Sequence, residues 1–278
     1  MTVNNPKKLG LIAGEGNMPI YIARKATERG YAVFVTGLKG NASAGDYKGI
    51  CTEFKPFRLG QVGAGLAFFK EHGVKTVVMA GRVQHTSIFM NLMPDKRGIQ
   101  FLASLKSMQT KHILSRLIEE FAKEGISFEN SALFLDDFFP GKGVLSKRQP
   151  TAEEQKTIEY GFSVAKQIAA LDIGLTCVVS QQAVIAVEGM EGTDRCIARA
   201  GELYRKSADK ETSVAVVKVA RPNQDMRYDL PVVGKRTLKS VHKAGFSILA
   251  FEAGKTLVMD LDEVIALADK LNLCLVAV

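Results

Sequence analysis

The stretch KLGLIAGEGNMPIYIARKATERGYAVFVTGL, residues 8–38, decides the fold. KLGLIAG is a short apolar run that ends in glycine. PIYIARKATERG has apolar residues at helical spacing and stops at Gly30, a natural helix terminator. AVFVTGL is again β-branched and apolar. A strand, a helix and a strand in so short a span predict a crossover helix between parallel strands. Working outward, GAGLAFFKEHG (63–73) reads as a second helix and KTVVMAG (75–81) as a third strand. The first part of the chain is therefore expected to be a Rossmann-like α/β domain. Ligands of such sheets lie beyond the carboxyl ends of the strands, which points to GEGNMP (14–19) and AGRVQHTSI (80–88).

Residues 99–124 follow the turn MPDKRG and carry one long amphipathic helical pattern. A stretch rich in Pro, Gly and charge then predicts a linker over 137–150, so that domains of 1–136 and 151–278 are expected. In the second, a helix runs from Thr151 to about Leu171. LTCVVS and AVIAVEG follow as strands joined at SQQ, and TDRCIARAGELYR reads as a helix with Thr193 or Asp194 near its N-cap. SVAVVKVA, SILAFEAG, TLVMD and LCLVAV are strands, with LDEVIALADKLN a helix before the last. This is a separate mixed α/β domain.

Composition narrows the function classes. The chain has 278 residues, 46% apolar and 24% charged, which is ordinary for a water-soluble protein with substantial cores. No apolar run is long enough to span a bilayer, and the glycine-broken N-terminus is not a signal peptide, so a cytoplasmic location is expected. Cys51, Cys177, Cys196 and Cys274 have no metal-ligand spacing and read as reduced thiols. The formal charge of +8 favours anionic partners. With no basic block, zinc-finger spacing or RNP motif, nucleic acid is not among those expected.

Several segments carry chemistry. In GEGNMP, Gly14 and Gly16 let backbone approach a phosphate, and Asn17 and Met18 open a helix whose N-terminus attracts anions; the alternative is a plain tight turn. Arg82 and His85 extend from the third strand. AVEGMEGTD (186–194) sets Glu188 and Glu191 in a turn, as Mg2+ ligands or as exposed acids before a helix. RPNQDMRYDLP (221–231) follows a strand with two arginines and two aspartates. If it is extended, Asp225, Arg227 and Asp229 share one face, as a catalytic set or as an ion-pair ladder.

Taken together, LGLIAGEGNMP, MPDKRG, LDIG (171–174), AVEGMEGTD, RPNQDMRYDLPVVG and the AG…EAG pattern of 244–254 resemble the LpxI-type UDP-2,3-diacylglucosamine pyrophosphatases of lipid A biosynthesis, nearly end to end. The resemblance implies hydrolysis of UDP-2,3-diacylglucosamine to UMP and 2,3-diacylglucosamine 1-phosphate with Mg2+, by attack of water on the β-phosphorus. It singles out Asp229 as the essential acid. Asp225 and Arg227 complete the expected catalytic set, and Glu188 and Glu191 join Asp229 as expected metal ligands. Gly14, Gly16, Asn17, Met18, Arg82, Thr193, Lys218, Arg221 and Gln224 are expected to contact substrate. A homodimer that visits the inner membrane surface transiently is also implied. The chain departs from the family at 109–112, where QTKH replaces a Gly-Asp-Asp triplet, and at Leu175 and Gly189. That keeps a non-catalytic UDP-sugar or lipid-binding relative as the alternative. A nicotinamide-dependent oxidoreductase would want GxGxxG and an acid after the second strand, and VFVTGLKG has none.

Overall fold

The computed structural model describes residues 6–83, 92–206 and 213–278. It divides into two units, Met1–Leu135 with Met226–Tyr228, and Asp136–Asp225 with Asp229–Val278.

The first unit is a five-stranded parallel sheet in the order β3-β2-β1-β4-β5, formed by β1 (Lys8–Ala13), β2 (Ala32–Leu38), β3 (Glu53–Phe57), β4 (Thr76–Ala80) and β5 (Ser127–Phe128). Helix α1 (Asn17–Glu28) buries Pro19, Ile22, Ala23 and Ala26 against β1 and β2. Helix α2 (Val62–Glu71) joins an aromatic core of Phe34, Phe57, Phe68, Phe69, Phe121 and Phe128. Tyr228 packs on that core, with its hydroxyl 3.3 Å from Ser115 Oγ. Strand β3, EFKPF, has no counterpart in the sequence reading. Pro56 weakens its strand signature, yet proline is tolerated there because β3 is an edge strand. The helical pattern of 99–124 is two helices, α3 (Lys96–Ala103) and α4 (Thr110–Ala122). Asp95 caps α3 through Gly98 N–H and also accepts from Ala64 N–H in α2, which fastens the two helices together.

The second unit is a six-stranded mixed sheet in the order β6-β13-β11-β9-β7-β8. Its strands are β6 (Gly143–Val144), β7 (Thr176–Ser180), β8 (Ala183–Val187), β9 (Val214–Lys218), β11 (Ile248–Phe251) and β13 (Cys274–Ala277); β10 (Val232–Val233) pairs separately with β12 (Leu257–Val258). The expected linker 137–150 belongs to this unit. Strand β6 pairs antiparallel with β13, Leu145 N–H donates to Leu275 O, and Phe138 is buried. Its Pro, Gly and charge serve turns around a short edge strand.

Alternation along the central strands divides the apolar side chains between two cores. Val214 and Val216 of β9, with Leu249 and Phe251 of β11, face α6 (Thr193–Arg205), α7 (Lys235–Ala244) and α8 (Leu261–Lys270). Ala215 and Val217, with Ile248 and Ala250, face α5 (Ala152–Ala170). Gly161 lets α5 lie close, since a Cβ there would stand 2.7 Å from Val217 Cγ2.

Helix α5 begins with a capping box, Thr151 and Glu154. The Glu154 carboxylate is buried and also accepts from Arg148 Nη2 at 2.6 Å and Ser213 Oγ at 3.0 Å. Burial alone raises its pKa, but the hydrogen bonds from Arg148, Thr151 and Ser213 outweigh that and hold it below the usual carboxylate range. A depressed folded-state pKa contributes stability above the unfolded value, near 4.3 for glutamate, that is lost as pH falls through the folded value. Glu154→Gln should therefore cost about 1–3 kcal/mol in urea denaturation at neutral pH. The difference from wild type should vanish once Glu154 itself is protonated.

Candidate active site

In the second unit the charged residues gather where β9 ends and α6 begins. Strand β9 is apolar up to Lys218, which is only 9% exposed. Its Nζ donates to Thr193 Oγ1 at 2.8 Å, and the Thr193 hydroxyl donates to Glu188 Oε1 at 2.9 Å. Glu188 Oε2 in turn accepts from Leu175 N–H at 3.3 Å. Thr193 is the first residue of α6 rather than its cap. Gly192, with φ at 82°, takes that place and has no side chain to cap with, while the threonine hydroxyl is turned to lysine and glutamate. Burial pulls the Lys218 pKa below lysine's ordinary range, against Glu188, Asp194 and Asp229, which favour the charged form.

Beyond the strand, Arg221 Nη1 holds Asp229 Oδ2 at 2.7 Å, and Arg221 Nε pairs with Asp172. Gln224 accepts from Arg221 N–H at 3.0 Å and donates to the Asp229 carbonyl. Residues 225–229 are not extended: Asp229 N–H donates to Asp225 O at 3.0 Å across a turn. The one-faced set of Asp225, Arg227 and Asp229 is therefore not formed, because a turn breaks the period-two alternation on which it depended. Arg227 lies in the turn segment grouped with the first unit.

The expected metal set is likewise not assembled. Among the described residues no three His, Cys, Asp or Glu side chains are grouped so as to hold an ion. Glu188 is committed to Thr193 and Leu175. Glu191 is tied to Arg199 at 2.6 Å and Gly189 N–H at 3.0 Å, and the guanidinium holds its carboxyl below the usual range. Glu188, Asp194 and Asp229 all favour the charged form of Lys218. Of the three expected ligands, Asp229 has the most exposed side chain, at 47% against 30% for Glu191.

A second anchor was missed in the sequence. Glu252, 7% exposed, accepts from Ala220 N–H at 2.9 Å and from Lys166 Nζ and Lys255 Nζ. It pins the backbone just ahead of Arg221. Asp172 was missed as well. Both lie inside quoted motifs, LDIG and EAG, but no spacing rule links them to residue 221.

In the first unit the turn GEGNMP and the end of β4 are zipped together. Gly14 N–H donates to Ala80 O, and Glu15 and Arg82 exchange backbone hydrogen bonds of 2.8 and 2.9 Å. A Cβ on Gly81, at φ 92°, would stand 2.7 Å from the Gly14 carbonyl carbon, so only glycine permits this approach. Those donors are thereby spent. What the turn retains for an anion is the N-terminus of α1, where Gly16 is the N-cap without a side-chain bond and Asn17 and Met18 carry first-turn N–H groups. His85 lies outside the described residues. The QTKH segment opens α4 with Gln109 as N-cap and no side-chain cap bond.

Comparisons with known proteins agree along the whole chain. The family model described as the LpxI N-terminal domain matches residues 8–138, and that of the LpxI C-terminal domain matches 141–276. A UDP-2,3-diacylglucosamine pyrophosphatase LpxI from Caulobacter vibrioides is 35% identical over 98% of this chain and 98% of its own length. Solved structures align far more loosely. A UDP-glucose-4-epimerase from Stenotrophomonas maltophila is 12% identical over 96% of this chain and 98% of its own, with a TM-score of 0.32. An N5-carboxyaminoimidazole synthetase from Staphylococcus aureus is 12% identical over 66% of this chain and 41% of its own, with a TM-score of 0.26. At such scores neither bears on the reading of the site. Two contiguous domain matches and a full-length relative leave one assignment: the chain belongs to the LpxI family.

Proposed function

We propose that this protein hydrolyses the pyrophosphate bond of UDP-2,3-diacylglucosamine, giving UMP and 2,3-diacylglucosamine 1-phosphate. The observation that carries this reading is the end-to-end identity with the Caulobacter vibrioides pyrophosphatase. The cluster around Asp229 supports it, because phosphoryl transfer needs positioned charge more than covalent chemistry. In this reading Arg221 and Gln224 fix Asp229, and Asp229 orients a water. The water oxygen bonds to the β-phosphorus, the bridging P–O bond breaks, and its electron pair leaves on UMP. A proton of the water passes to Asp229 and on to solvent.

Of this chain's residues Asp229 would hold Mg2+ beside the bound substrate, since Mg2+ commonly binds through one or two carboxylates plus phosphates. When bound it would neutralise charge on the phosphoryl oxygens. The exposed side chains of Leu171, Ile173 and Met190 and the charge of +8 support contact with an anionic membrane surface, and the family resemblance supports a homodimer. Vesicle sedimentation and light scattering check these two points. Among the described residues no helix is long and apolar enough to cross a membrane.

The deciding assay incubates purified protein with UDP-2,3-diacylglucosamine and Mg2+ in 18O-labelled water. The expected result is UMP without label and sugar 1-phosphate carrying one labelled oxygen, with release suppressed by EDTA. Label in UMP would move the attack to the α-phosphorus. Substrate binding with no UMP would favour the non-catalytic relative.

A further inference from the structure

The pyrophosphatase reading leaves open why a lysine should be buried at the end of a strand that is otherwise wholly apolar. A buried ammonium is costly unless hydrogen bonds and opposite charge compensate it. Here the compensation is directional. A carboxylate only accepts, so the single hydroxyl proton of Thr193 goes to Glu188, and its lone pairs receive Lys218. Glu188 is itself held by Leu175 N–H. The order Lys218 to Thr193 to Glu188 thus has one sense, and it fixes the heading of an ammonium with three N–H groups. Lysine, threonine and glutamate come from the end of β9, the first turn of α6 and the turn after β8. The positive end of the α6 dipole adds to the same spot.

We propose that Lys218 is a catalytic cation of the hydrolysis and that Thr193 and Glu188 are its positioning residues, aiming the ammonium at the diphosphate as charge builds on its oxygens. The inference rests on the pyrophosphatase reading. A lysine kept only for packing would pin α6 to β9 and leave turnover indifferent to how the ammonium is held. A charge preset for the transition state acts on kcat more than on KM. The carboxylates facing Lys218 are Glu188, Asp194 and Asp229, and Asp194 is already shared by Arg236 and Ser240. Loss of the Thr193 hydroxyl or of the Glu188 charge makes the charged lysine less favourable, so the alkaline limb of the rate profile moves to lower pH.

The test measures UMP release against pH, with kcat and KM, for wild type, T193V, T193S, E188Q and K218M, alongside thermal unfolding. K218M is expected to lose about 100-fold in kcat without a lower Tm, since an apolar side chain of similar length suits a buried position. T193V and E188Q are expected to lose about 10-fold in kcat with little change in KM and an alkaline limb at lower pH. T193S, which keeps the hydroxyl, should recover both. If T193V does not fold, E188Q carries the same test, because it keeps the shape while it removes the charge and turns one acceptor oxygen into a donor. Wild-type profiles in both T193V and E188Q, with UMP still released by the wild type, would overturn the inference alone. No UMP from the wild type would overturn the pyrophosphatase reading and this inference with it.

Discussion

Asp229→Asn protein is expected to release UMP about 100- to 1000-fold more slowly than wild type, with Tm nearly unchanged. The substitution keeps the shape and one acceptor oxygen, so the contact with Arg221 and the backbone bond from Asp229 to Asp225 can persist. What disappears is the negative charge that, in the proposed mechanism, orients water and would help to hold Mg2+. Asp229 is about half exposed, so its ion pair contributes little to stability and the loss should fall on turnover rather than folding. Asp225→Asn is the informative comparison. Asp225 contributes its carbonyl to the turn, and that carbonyl survives the change. Equal losses in the two variants would contradict the assignment of Asp229 as the principal acid.

The second large effect is expected from a methyl group. Gly174 lies against the backbone of Glu188, and a Cβ there would stand 2.0 Å from the Glu188 carbonyl oxygen and 2.8 Å from its carbon. Neither atom is the end of a flexible side chain, so the backbone of one segment has to move. Gly174→Ala should lower stability by about 1–3 kcal/mol. Glu188 aims Thr193 and Lys218 from that same backbone, so a displacement near 1 Å should also cost about 100-fold in UMP release. Gly141→Ala is the control: its Cβ meets nothing within 4 Å, and stability and turnover should both stay close to wild type. Wild-type stability in Gly174→Ala would mean that the two segments are not held in this contact.

These two sites also measure what could be read from sequence. The alternation of strand and helix over residues 8–38 was legible because apolar periodicity is a local property. Thr193 and Lys218 were named as contacts, yet nothing local told that the threonine abandons the helix cap for a lysine 25 residues away. That choice depends on tertiary neighbours, as does the pairing of Arg221 with Asp172. The spacing of Asp225, Arg227 and Asp229 misled for a related reason. Even spacing implies a shared face only in extended chain, and RPNQDMRYDLP turns instead. The Pro- and Gly-rich stretch 137–150 looked like a linker because a two-residue edge strand leaves almost no periodic trace.

The two-sided burial of β9 has one more consequence, which concerns insertions and deletions. VAVV is apolar on both faces, so sliding it by one residue against its neighbours would exchange one set of valines and alanines for the other at little hydrophobic cost. Lys218 removes that tolerance. A one-position slip would turn its ammonium to the face that packs on α5, away from the Thr193–Glu188 pair that holds it. The residue read here as a catalytic cation thus also keeps the frame of the strand that carries it. A change of one residue within 214–218 is therefore expected to be punished at folding, before chemistry is tried.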